Sequence, residues 1–77
     1  MSTSTHEAVA LDVRIDDEIH VRLVDGRTVS APLSWFPRLV AATPAQRADW
    51  HLIGRGEGIH WPELDEDLSV AGLLAGR

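Results

Sequence analysis

From residue 9 onward the chain alternates. Val9, Leu11, Val13 and Ile15 are separated by Ala10, Asp12 and Arg14, and a period of two places the apolar set on one face of a strand. Asp16, Asp17 and Glu18 interrupt the pattern. It resumes with Ile19, Val21 and Leu23 alternating with His20 and Arg22, so a second strand returns through a tight turn. Asp25-Gly26 is the strongest short hairpin signal in the chain, because glycine takes positive φ without steric cost and aspartate tolerates it. It leads into residues 27–31, with Val29 and Ala31 on one face, and Pro32 ends that strand. A three-strand meander is expected.

Beyond Pro32 the signals become helical. Ser34 is expected to cap a short helix over about residues 35–42, where Pro37 is tolerable only within the first turn. Thr43, Pro44 and Gln46 have the spacing of a capping box with proline at the first helical position, which predicts a further helical turn. Trp50 and Leu52 then alternate with His51, glycines 54, 56 and 58 supply a loop, and Ile59 and Trp61 alternate with His60 before Pro62. Keeping both apolar sets on one face sets Leu52 opposite Ile59 and Trp50 opposite Trp61, with His51 facing His60 on the outer side. Ser69 is expected to cap a last helical turn over residues 70–74, ended by Gly76. The three tryptophans fall on apolar faces and are expected to be mainly buried. The predicted fold class is therefore α+β, with a small antiparallel sheet of about five strands, the meander plus the second hairpin, and one or two short helices. Residues 1–7 are polar and unpatterned, which predicts a flexible N-terminus ahead of a single domain over residues 8–77.

Composition narrows the function classes. With 77 residues the chain is near the lower size limit for one hydrophobic core, and 44% apolar with 25% charged residues is the balance of an ordinary globular protein. No run approaches the roughly 18 apolar residues of a membrane span, and the first residues carry neither a basic nor an apolar leader region, so the cytoplasm is the expected compartment and no membrane contact is expected. Cysteine is absent, which leaves stability to packing or to association with a partner. The net charge is −5, and all seven basic residues are arginines set singly along the chain. Free nucleic acid is therefore disfavoured as a ligand, because phosphate neutralisation needs clustered cations. Without lysine there is no Schiff-base chemistry and no phosphate-binding loop of the P-loop kind, and no cofactor is expected.

Few residues offer chemistry. His51 and His60, with carboxylates from Glu63 onward, present ligand types that zinc accepts, but two imidazoles lacking a fixed third ligand make at best a weak metal site. His20 lies on the outer face of another strand and His6 in the N-terminal stretch. The serines and threonines sit at caps, termini and strand edges, the carboxylate run 63–67 reads as a solvated loop, and the core is too small for an ample ligand cavity. The chain is accordingly expected not to be an enzyme, and no catalytic residue is assigned. The loop 54–58, with its glycine N–H groups and Arg55, has the makings of an anion cradle. The stretch Glu63-Leu64-Asp65-Glu66-Asp67-Leu68 interleaves leucines with carboxylates, a composition suited to a basic protein surface. Trp61, Glu63, Leu64, Asp65, Glu66 and Asp67 are the candidate protein-contact residues.

These segments carry a resemblance. The Asp25-Gly26 strand pair, the run from Pro32 to Leu39, the Ala42-Thr43-Pro44 junction and the tail from Gly58 through Trp61-Pro62 and Asp65-Glu66-Asp67-Leu68-Ser69 to Leu74 together resemble the bacterial family of domains of unknown function numbered 2442. The match covers nearly all of residues 9–76, and the ordered tail is its most specific part. The resemblance implies a compact α+β domain with a small antiparallel sheet. It also implies a gene paired with another short gene in the manner of toxin and antitoxin, and it assigns no catalytic residue. Two function classes follow, with a weak metal-binding protein at His51 and His60 kept as a third. The first is a non-enzymatic protein-binding module, antitoxin-like, that covers a small basic partner. The second is a homo-oligomeric structural or regulatory domain that pairs through an exposed sheet edge.

Overall fold

The computed structural model describes residues 8–76; the N-terminal stretch 1–7 and Arg77 lie outside the described residues. Strands β1 (Ala10–Ile15), β2 (Glu18–Leu23) and β3 (Thr28–Pro32) form the expected antiparallel meander, in the order β1-β2-β3. Ile19, Val21 and Leu23 of the central strand are fully buried. In β1 the expected parity fails at its first turn of the pleat. The ladder slips between Ala10 and Asp12, so that Ala10 faces Leu23 and Asp12 faces Arg22. This bulge inserts Leu11 as an extra residue, and Ala10 takes the core position while Leu11 stands 50% exposed.

The single helix expected over residues 35–42 is divided. A 3₁₀ turn spans Leu33–Trp35, and α1 (Pro37–Val40) follows it. Pro37 keeps its predecessor out of helical geometry, Phe36 lying at φ −127° and ψ 81°, so the helix starts only at the proline and Ser34 caps nothing. Leu33 and Leu39 enter the core from the two pieces. Helix α2 (Pro44–Ala48) has the complete capping box: the Gln46 backbone N–H donates to Thr43 Oγ1, and the Thr43 N–H donates to Gln46 Oε1.

A second three-stranded sheet follows. Strands β4 (His51–Ile53) and β5 (Gly58–Trp61) pair with His51 opposite His60 and Leu52 opposite Ile59, as expected, while Trp50 stops short of the ladder and packs half-buried against the core. The sixth strand is β6 (Glu66–Ser69), which pairs with β5 and sets Trp61 opposite Glu66. It takes Glu66 and Asp67, the last two residues of the run 63–67 expected to be a solvated acidic loop. Aspartate and glutamate favour strands weakly, and the strand exists because the 3₁₀ turn Pro62–Leu64 and Asp65, in left-handed geometry at φ 51°, fold it back onto β5. Ser69 then caps α3 (Val70–Leu74), accepting from the Gly72 N–H.

The fold of the described residues is therefore α+β, with two three-stranded antiparallel sheets and three short helices in place of one sheet of about five strands. One cluster of buried side chains draws on both sheets, joining Ile19, Val21 and Leu23 to Ile59, Trp61 and Leu68, with Leu39, Val70 and Leu73 from the helices. The loop between β4 and β5 fastens the two halves. Its Gly56 carbonyl accepts the Ala10 N–H at 2.7 Å, and its Glu57 carbonyl accepts the Val70 N–H at 3.0 Å.

Candidate functional site

The candidate protein-contact residues lie along one hairpin, the turn from Pro62 to Asp65 and the strand β6. Trp61 does not belong to its surface. It is 0% exposed, and its indole N–H donates to the Arg47 carbonyl at 3.0 Å, so it is the floor beneath the hairpin. Leu64 is half-buried against the core. Glu63, Asp65 and Asp67 are exposed and Glu66 is half-buried, so four carboxylates stand on one short, well-anchored segment. Anchoring comes from outside it: the Arg38 guanidinium donates to the Leu64 and Asp65 carbonyls, and Gln46 Nε2 reaches Glu63 Oε1 at 3.4 Å. Arg47 binds the Leu39 and Val40 carbonyls at the end of α1 at 2.9 and 3.1 Å, which holds the backbone that receives the Trp61 indole.

Beside this hairpin lies a groove of about 260 Å³ between the Leu33–Trp35 turn, β6 and α3. Trp35 and Phe36 line it from the side of the turn, and Glu66, Asp67, Leu68 and Leu73 from that of β6 and α3. Trp35 is 41% exposed, contrary to the expectation that all three tryptophans are mainly buried. The division of the helix at Phe36 is the reason, since it leaves Trp35 on the 3₁₀ turn, directed away from the core that takes Leu33.

The histidines are placed as expected but are engaged. His60 Nδ1 bonds Asp67 Oδ1, and His51 Nε2 lies 3.2 Å from Asp49 Oδ1. A carboxylate can only accept, so each ring donates to its own acid. Among the described residues no group of three His, Cys, Asp or Glu side chains is arranged to hold a metal ion.

The glycine loop is likewise occupied from within. Glu57 Oε1 accepts the Arg55 N–H at 2.9 Å, and this bond, with one from the Glu57 backbone N–H and the nearby Arg55 charge, lowers the Glu57 carboxyl below its usual range. The anion this cradle holds is its own side chain.

A constellation without a linear motif appears on the outer face of the first sheet. His20 Nε2 lies 2.8 Å from Asp16 Oδ1, and His20 Nδ1 lies 2.7 Å from Ser30 Oγ. The signal for it was available only through register, which sets His20 opposite Ser30. A hydroxyl, an imidazole and a carboxylate in line are the parts of a proton relay, yet among the described residues no element covers this face of the sheet to exclude water from a reacting carbonyl. What the chain of bonds does is pin the β1–β2 turn to β3.

No helix among the described residues is long and apolar enough to cross a membrane. No curated protein matches the chain. A crystal structure of a protein of unknown function from Rhodospirillum rubrum ATCC 11170 is similar to it, with 35% identity and a TM-score of 0.75 over 88% of this chain and 86% of that one. The family model described as protein of unknown function (DUF2442) matches residues 10–77, a span that takes in both sheets, the divided helix and the acidic hairpin. The chain belongs to that family.

Proposed function

We propose that this domain is a non-enzymatic protein-binding module whose acidic hairpin covers a basic surface on a small partner, in the manner of an antitoxin. The supporting observation is the anchoring of residues 63–67: Arg38, Gln46 and the β5–β6 ladder hold exposed Glu63, Asp65 and Asp67 on a rigid segment, so little conformational entropy is lost when a partner is engaged. The net charge of −5 adds long-range attraction to a basic protein. The partner of choice for the test is the product of the adjacent gene, co-expressed untagged with a tagged copy of this chain. A stoichiometric complex in light scattering that weakens as salt rises is expected, and toxicity of the neighbour alone, relieved by this chain, specifies the antitoxin role. Elution of this chain without the neighbour would sink the reading.

A second reading is favoured by β4. It is an edge strand with exposed Leu52 and Ile53, a surface that a second copy could cover by edge pairing. On that reading the chain is a defined homodimer when expressed alone, and Leu52→Lys returns it to a monomer.

A further inference from the structure

We infer that the groove between the Leu33–Trp35 turn, β6 and α3 is the seat of one arginine side chain from the partner; this rests on the binding-module reading and names the chemistry that enters. Small-molecule sites start at about 300 Å³, so a groove of about 260 Å³ takes a single side chain more readily than a cofactor. Its two walls differ in kind. On one side Trp35 offers an indole that is not packed into the core cluster, in contrast to fully buried Trp61 and half-buried Trp50. On the other, Glu66 projects from the same face of β6 as buried Leu68, and among the described residues its carboxylate has no hydrogen-bond or ion-pair partner. Asp67 is already held by His60, which leaves Glu66 as the acid of the groove.

A guanidinium satisfies both walls at once. Its planar face stacks on an indole, its N–H fork meets a carboxylate, and its aliphatic stem lies along apolar side chains, here Leu68 and Leu73. An ammonium group supplies the charge but neither the stacking plane nor the fork. A carboxylate or phosphate entering this groove would meet Glu66 with Asp65 and Asp67 close by, so an anionic occupant is repelled.

The test uses the full chain, labelled with ¹⁵N and titrated with a capped glycine–arginine–glycine peptide and, in parallel, with the same peptide carrying citrulline, which keeps the shape and loses the charge. The indole N–H signals of the three tryptophans are the readout. The Trp35 indole and the Glu66 and Leu68 amides are expected to shift with the arginine peptide, while Trp61, buried, and Trp50, which lines a different groove, serve as references. Citrulline, Trp35→Ala and Glu66→Gln are each expected to weaken the response by roughly fivefold or more. Glu66→Gln keeps size and leaves the aromatic wall intact, so its result stands even where Trp35→Ala disturbs the turn. Equal responses to the two peptides, an unmoved Trp35 signal, or full binding by Glu66→Gln would overturn the proposal. The two readings also fail separately. A neighbour complex that tolerates Trp35→Ala and Glu66→Gln but is lost with Glu63→Gln and Asp65→Asn together overturns the groove and keeps the acidic hairpin. An intact arginine response with no neighbour complex supports the groove and removes that partner.

Discussion

Gly56 shows how much one position can decide. It lies at φ +105°, and a β carbon there would stand 2.8 Å from the Ala10 carbonyl oxygen and 3.0 Å from a Val9 methyl. Its own carbonyl holds the Ala10 N–H, so the residue fastens the loop after β4 to the bulged start of β1. Gly56→Ala adds a backbone clash to the strain of left-handed geometry and is expected to cost roughly 3 kcal/mol in denaturant unfolding. Gly26, at φ +96°, has nothing within 4 Å of its would-be β carbon. Gly26→Ala therefore carries only the conformational penalty, about 1 kcal/mol. Equal losses at the two positions would refute the role given to the Gly56 contact. The sequence marked both glycines as loop residues, but only the fold brings Ala10 against one of them.

At the scale of elements, the β1–β2 turn carries the clearest electrostatic prediction. The Glu18 backbone N–H donating to Asp16 Oδ1 is the largest influence on that carboxyl, followed by His20 and then the Arg14 charge, and together they lower its pKa to about 2. The folded value lies below the ordinary one of about 3.9, so the stabilisation is present above about pH 4 and is lost as pH falls through 2. Asp16→Asn should unfold at lower denaturant than the parent at pH 6, with the two converging near pH 2. A gap that persists at pH 2 would mean that the charge is not what holds the turn. The elements themselves were unevenly legible. Both hairpins, the Thr43 capping box and the Ser69 cap were readable, because alternation and capping are local properties of the chain. Strand β6 and the division of the helix at Phe36 were not. Residues 66–69 form a strand only because β5 offers a ladder, and Ser34, a good cap in isolation, is overruled by the restriction Pro37 places on Phe36.

At the scale of the molecule, the two sheets share one core. Trp61 of β5 is buried with Leu23 of β2 in the same cluster, and the Gly56 and Glu57 carbonyls tie β1 and the start of α3 to one loop. Among the described residues neither sheet has a second apolar layer of its own, so both are expected to melt together. Tryptophan fluorescence, dominated by the second half of the chain, and far-ultraviolet circular dichroism should give coincident unfolding transitions. Separate midpoints would mean that the sheets are independent units. The same sharing explains why the candidate site was only partly legible. The acidic character of residues 63–67 is written in the sequence, but Trp35 beside them is exposed where burial was expected, since burial depends on which surface the other sheet covers.

By itself the sequence determined the α+β class, the meander, the pairing of His51 with His60, the caps at Thr43 and Ser69 and the acidity of the hairpin. Each follows from periodicity, backbone preference or charge, which act over a few residues. The tertiary structure alone decided the bulge that exposes Leu11, the sixth strand, the exposure of Trp35 and the groove between Trp35 and Glu66. Those depend on which distant segments compete for one small core, and a short stretch of chain carries no record of its competitors.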